Sequence, residues 1–443
     1  MKKAISYKNI WTVSYPIILS GVAQNIVNVT DTAFLGRYGM VELGAAGNAG
    51  IFYMVLMMVG LGFTIGCQII IGRRNGEENY QEIGSLFNAG LYFLIPASIL
   101  LFVFVKLFST PILGAIVASE NILQASKDFL QVRTYGLFFA LINFLFIAFY
   151  TGITKTKVLI NATFIQAMVN VVLDYILIFG KFGLPEMGIK GAALASVISE
   201  IVALLYFMYY MKVKTDIRKY KLLEDFNFNI KKQARILKIA GPIMLQNFMA
   251  LSTWLSFFMI IEQIGEQELA ISHIIRSIYM VVMIPLFGFS SAASTLVSNL
   301  MGEKRVNEVT LLVRRIVALS VSTTAVFIPI LLLFPRQIIN IYTTNLSLIT
   351  GSMNLLPIIC GAMLFFSIAF IVFSSVTGTG KTLVTLGIEI TSISIYLTTA
   401  YLCAIKYKQP LTIVWSTEFI YFGIMGLLAI LYLKWGKWKN STI

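Results

Sequence analysis

Two short patterns hold side chains that could handle a cation inside a membrane. In PIILSGVAQNIVNVTDTAFLGRYG, Pro16 to Gly39, the residues Gln24, Asn28 and Asp31 recur at i, i+4 and i+7 and so share one helical face. A carboxylate in a membrane helix costs about 2.5–3.5 kcal/mol on insertion scales, so such a residue is expected to have a use. In NVVLDYILIFG, Asn170 and Asp174 are spaced i and i+4, which points an amide oxygen and a carboxyl the same way. That pair could coordinate Na+ or hold a protonated acid, because burial disfavours the charged form. No Lys or Arg stands mid-span in the first, fifth or sixth apolar segment. A proton or a metal cation is then the expected counter-charge for Asp31 and Asp174.

Other buried acids are secondary candidates. Glu200 falls mid-way along the sixth apolar segment, Glu389 lies inside the eleventh and Glu418 inside the twelfth, and Glu200 and Glu389 are candidate relay groups. Pro16 lies upstream of Asp31 in the same helix, where it removes a hydrogen bond and favours a kink. Several other patterns carry no chemistry. TGTGKT at 377–382 ends like a phosphate loop, but the earlier glycine that such a loop needs is Ser375. His273 is the single histidine, so no histidine-based metal cluster or triad can form around it. Cys67, Cys360 and Cys403 have no metal spacing and read as small core residues. An enzyme is therefore not expected, and no cofactor is implied.

Composition sets the class. The chain has 443 residues, 58% of them hydrophobic and 12% charged, against about 25% charged in soluble domains. It reads as an all-α polytopic membrane protein, with the apolar run from near Ile10 kept as the first span. The net charge of +14 is a topology signal rather than a nucleic-acid footprint. Twenty-four of the 34 basic residues fall at one set of alternate span ends and ten, Arg133 among them, at the other. By the positive-inside rule both termini are cytoplasmic and the span count is even. The basic side also suits anionic lipid headgroups.

Twelve spans are expected, at 10–33, 44–71, 86–108, 124–151, 157–180, 190–211, 234–261, 270–299, 312–334, 350–377, 383–405 and 411–433. They divide into an N-terminal lobe at 1–211, a basic cytoplasmic linker at 212–233 and a C-terminal lobe at 234–443. The first part of the linker could equally form a short interfacial helix. The lobes repeat at an offset of 226. Pro16 meets Pro242, Gly62 and Phe63 meet Gly288 and Phe289, and Gly152, Lys155 and Thr156 meet Gly378, Lys381 and Thr382. Two six-helix halves of parallel topology are related by a pseudo-two-fold along the membrane normal. The polar residues are not repeated. Gln24, Asn28 and Asp31 correspond to Ala250, Trp254 and Phe257, and Asp174 to Ala400. Ion coupling is thus expected in the first half.

These segments together resemble the multidrug and toxic compound extrusion (MATE) transporters of the MOP flippase superfamily. The likeness rests on YPIILSGVAQNIVNVTDTAFLGRYGMVELGAAG, on GFTIGCQIIIGRRNGEEN, on NVVLDYILIFG with GIKGAALASVISE, and on FFMIIEQIGEQELAISHII. The resemblance implies twelve helices in two lobes, a V-shaped cavity and cation-driven efflux by alternating access. It is nearest the DinF-like branch, which couples through N-lobe acids. On that pattern Asp31, Asn170 and Asp174 are cation-coupling residues, joined by Ser196, and they would be the ligands if the ion is Na+. Gln24, Asn28 and Asn143 are polar cavity positions, and Pro16 is the hinge of the first helix. A tyrosine that the branch carries one turn before the first acid is Val27 here, and the C-lobe acids of the NorM-like branch are absent.

The expected function is a H+- or Na+-coupled antiporter exporting organic, amphipathic cationic compounds. Its expected setting is the inner (plasma) membrane, as a monomer whose partners are small organic substrates, the coupling cation and the bilayer. The alternative is a flippase for lipids or lipid-linked oligosaccharides. Such proteins tend to line their cavity with bases, whereas acids outnumber bases mid-span here.

Overall fold

A computed structural model describes residues 5–224 and 228–441. Lys2, Lys3 and residues 225–227 of the expected linker lie outside the described residues. A backbone crossing hydrocarbon must satisfy its own hydrogen bonds, which favours helices. Helices are what form, and no strand occurs among the described residues. In order they are α1 Tyr7–Tyr38, α2 Met40–Gly76, α3 Tyr80–Ile116, α4 Glu120–Arg133, α5 Gly136–Gly152, α6 Lys157–Phe179, α7 Ile189–Lys214 and the one-turn α8 Ile217–Tyr220. There follow α9 Ile230–Glu262, α10 Glu266–Gly302, α11 Val309–Leu333, the short α12 Pro335–Ile339, α13 Leu346–Gly378, α14 Thr382–Tyr401 and α15 Leu411–Trp435.

Among the described residues eleven helical segments are each long and apolar enough to cross a membrane, and α4 with α5, bent by 56° at their break, pass the same test together as a candidate twelfth. The expected straight span at 124–151 is therefore two helices, broken at Thr134 and Tyr135. Several helices also outrun their expected spans. At 37 residues, α2, α3 and α10 are each about 55 Å long, against about 30 Å of hydrocarbon. Hydropathy locates only the part inside the bilayer. Polar side chains cap the ends between spans. Asn79 accepts from the Glu82 amide ahead of α3, and Ser119 accepts from the Ile122 amide ahead of α4. Gly180 closes α6 at φ 62°, a left-handed conformation that suits glycine. The interfacial helix in the linker shrinks to α8, four residues long.

The chain forms two compact units, and their boundary falls inside helices. Leu19–Met244 make one unit, while the chain up to Ile18 joins Leu245 onward in the other. The lobes drawn from sequence at 1–211 and 234–443 differ from these units. The first part of α1 belongs with the C-terminal helices, and the first part of α9 with the N-terminal ones. Within the N-terminal unit α9 is held by Gln233, whose Nε2 donates to the Ala89 carbonyl at 2.7 Å, and by an Arg235–Glu82 ion pair at 3.0 Å. In the C-terminal unit Ile10 and Val13 of α1 join the buried cluster around Phe289, Val297, Ile316 and Ile371. There α13 packs against α10, α11 and α15 and forms the centre.

Repeated glycines permit both placements. A Cβ on Gly62 would lie 2.6 Å from Met244 Cα, and one on Gly288 would lie 3.1 Å from the Ile18 amide nitrogen. Gly62 and Gly288 are repeat mates, as are Ile18 and Met244. Gly62→Ala must push two helix backbones apart, which costs about 1–3 kcal/mol. Its thermal unfolding midpoint in detergent should fall by several degrees relative to Gly50→Ala, where a Cβ meets nothing within 4 Å. Equal melting of the two variants would contradict this packing.

Candidate functional site

The N-terminal unit gathers the acids onto neighbouring helices. Asp31 comes from α1, Asn170 and Asp174 from α6, and Ser196 and Glu200 from α7. Asn170 and Asp174 are completely buried and Asp31 is half-buried. The Asp31 and Asp174 carboxyls lie within hydrogen-bonding reach of each other. Asn170 Nδ2 reaches Ser196 Oγ at 3.5 Å, the long limit of a hydrogen bond. Four buried oxygens receive no donor: Asp31 Oδ1, both Asp174 oxygens and Asn170 Oδ1. An ionised carboxyl only accepts, so two that face each other need a proton between them or a cation beside them. The same four oxygens, with the Ser196 hydroxyl, suit a hard monovalent cation, which prefers oxygen ligands.

Gln24 and Asn28 lie on the Asp31 face of α1 and are exposed. Asn143, on α5, is buried and donates to the Glu200 carbonyl at 2.9 Å. Pro16 sits inside α1, which remains one continuous helix from Tyr7 to Tyr38. Glu389 belongs to the other unit, where it accepts from the Tyr421 hydroxyl at 2.7 Å.

Arg133 was counted with the charges at span ends, and the structure corrects that. It closes α4 at the break in the fourth span and is part-buried against Glu200. Its Nη1 donates to Glu200 Oε2 at 3.0 Å and its Nη2 to Oε1 at 2.5 Å, a two-pronged pair. The guanidinium stacks over the Tyr53 ring at 4.2 Å. Gly136 makes the space, since a Cβ there would collide with Arg133 Nη1 and lie 2.5 Å from Glu200 Oε2. Glu200 therefore has its own counter-charge, which a reading of single helices could not find. Arg133 is also near enough for its charge to act on Asp31. The available signal was its position well inside the apolar segment expected at 124–151, away from either end.

Fold and site together define a two-repeat helical membrane transporter rather than an enzyme. The MatE family model matches residues 16–176 and again 242–402, two copies that start 226 residues apart. The chain belongs to the MatE family. It is 26% identical over 442 residues to "Probable multidrug resistance protein NorM" of Thermotoga maritima, covering 98% of this chain and 94% of that protein. Against "Probable multidrug resistance protein YoeA" of Bacillus subtilis the identity is 22%, with 97% and 93% covered. A solved multidrug resistance MATE family transporter of the MOP superfamily, in an outward-facing conformation, superposes with a TM-score of 0.85 at 18% identity. That match covers 98% of this chain and 97% of the other.

Breaking a buried ion pair on one side leaves an uncompensated charge and costs about 3–5 kcal/mol. Arg133→Met should therefore lower the thermal unfolding midpoint strongly, and Arg133→Met with Glu200→Gln should recover much of it. A single variant that melts like wild type would show that the pair bears no such load.

Proposed function

We propose that this transporter is an antiporter that exports organic, amphipathic cationic compounds in exchange for a monovalent cation bound by Asp31, Asn170 and Asp174, with Ser196 at the edge. The observation that carries this reading is the mutual approach of the half-buried Asp31 carboxyl and the fully buried Asp174 carboxyl, beside buried oxygens that lack donors. The direct carboxyl–carboxyl approach favours H+ as the coupling ion, and Na+ is the second reading, on the same oxygens. The names of the relatives, multidrug resistance proteins from bacteria, support drug-like substrates and an inner-membrane location. The bias of basic residues supports cytoplasmic termini.

In this mechanism an incoming monovalent cation halves the charge of the acid pair, from −2 to −1, and lowers the penalty of holding charge in hydrocarbon. Relief of the repulsion between the two carboxylates allows α1 to pack closer to α6. Pro16 is the hinge. It lacks the amide hydrogen that would bind one turn back, and it stands two residues before the helix passes between units. Gln24 and Asn28 present amides to the substrate, and loss of the cation returns the site to its charged, substrate-accepting form. The acid pair disfavours the lipid-linked sugar flippase, because Arg133 is already neutralised by Glu200.

Two measurements in proteoliposomes loaded with a fluorescent organic cation test the reading. Asp31→Asn should insert and melt normally yet lose at least about tenfold in initial export rate, the kinetic equivalent of 1.4 kcal/mol. Normal export by that variant would remove the coupling role. An imposed pH gradient alone should drive flux in the wild type. Flux that follows only a Na+ gradient would transfer the site to Na+, and flux indifferent to both would favour the flippase.

A further inference from the structure

The Arg133–Glu200 pair begins one helical turn from the candidate cation site. Ser196, at the edge of that site, and Glu200 are spaced i and i+4 on α7, so they share a face. Asn170 Nδ2 reaches Ser196 Oγ at 3.5 Å from α6, and Asn143 Nδ2 donates from α5 to the Glu200 carbonyl at 2.9 Å. Arg133, at the end of α4, meets the Glu200 carboxylate with both prongs, at 3.0 and 2.5 Å. Tyr53 of α2 completes the surroundings. Its ring centre lies 4.2 Å from the guanidinium carbon, and its buried hydroxyl has no hydrogen-bond partner.

The pair has a direction. Asp31 feels the charge of Arg133, whereas Glu200 interacts, among the described residues, with Arg133 and Tyr53 and not with Asp31. The positive end therefore lies nearer the acids than the negative end does. The other titratable groups turned to this cluster are Asp31 of α1, Tyr53 of α2 and Asp174 of α6. The remaining charges on the packed helices are engaged elsewhere. Lys190 pairs with Asp128 at 3.4 Å, both partly exposed, and Lys106 of α3 donates to the Gln131 carbonyl at 3.0 Å. A buried ion pair contributes little net stability over apolar side chains of similar size, so packing alone gives no reason to hold one beside two acids. A fixed positive charge has a use there. It opposes the charge of an incoming cation and keeps that cation from being held too tightly to leave. Glu200 tempers the guanidinium charge and fixes its place.

We propose that Arg133 and Glu200 are positioning residues that set the affinity of the Asp31–Asp174 site for its exchanged cation: Arg133 weakens that affinity, and Glu200 limits the weakening. This role rests on the antiporter reading and names what tunes its site. It differs from that of a proton relay, because Glu200 stays paired with Arg133 throughout the cycle.

The test measures initial export of a fluorescent organic cation in proteoliposomes while the concentration of the driving cation, H+ or Na+, is varied. Glutamine substitutions remove charge but keep hydrogen bonding, and they should move the half-maximal concentration in opposite directions. Glu200→Gln leaves Arg133 uncompensated and should raise it by about threefold or more. Arg133→Gln should lower it by about threefold or more, with a lower maximal rate because the cation leaves more slowly. The double variant should reverse the rise seen in Glu200→Gln, a comparison that stands even where Arg133→Gln fails to fold. Melting curves confirm the folding of each variant. A merely structural pair would lower the maximal rate and leave the half-maximal concentration in place. That result, shifts of both single variants in one direction, or a double variant that matches Glu200→Gln would each overturn the proposal. Asp31→Asn is the control. Normal export by it removes the antiporter reading itself, whereas an inactive Asp31→Asn beside unshifted charge variants removes this inference alone.

Discussion

A carboxylate in hydrocarbon needs something to offset its charge, and the interior of this protein is organised around that need. Three solutions occur. Glu200 is matched by the Arg133 guanidinium, a pair that depends on the bend in the fourth span and on the missing side chain at Gly136. Glu389 and Glu418 are matched by tyrosine hydroxyls from each other's helix. Asp31 and Asp174 face each other, with no salt bridge of their own among the described residues and only the more distant Arg133 charge acting on Asp31. The first solution is fixed and static. The last has no ion-pair partner among the described residues, which is why the coupling role is proposed there and not on Glu200.

The repeat explains why one fold holds such different sites. The shared residues are those that shape the backbone: Pro16 and Pro242, Gly62 and Gly288. They place the first part of each leading helix in the opposite unit. The two leading helices, α1 and α9, are therefore the physical links between the units. Residues facing the interior of each unit are free of that constraint. They have diverged into oxygens in one unit and aromatic rings in the other.

Much of this was legible in the sequence, and the misses have a common cause. The helical class, the spans and the 226-residue repeat follow from hydropathy and from Pro and Gly spacing, because those signals are local or exactly periodic in the chain. Asp31 and Asp174 stood out because each is an acid on an apolar helix. Their mutual approach, the Arg133–Glu200 pair and the crossed tyrosine–glutamate bonds join residues from different helices. Periodicity along one helix carries no such information. The unit boundary inside α1 and α9 was hidden for the same reason: hydropathy gives depth in the membrane and not the identity of neighbours. Asn143 was expected to be a cavity residue, and its amide nitrogen is instead occupied by the Glu200 carbonyl.

The central claim is that Asp31 and Asp174 share a proton that leaves when substrate binds. Infrared difference spectroscopy on the purified protein reads this directly through the carbonyl stretch of a protonated carboxyl. The account predicts a protonated-carboxyl band that disappears on adding an organic cation, and that is missing from Asp31→Asn and from Asp174→Asn. A spectrum with no carboxyl change on substrate addition, or a band that survives both substitutions, would contradict it.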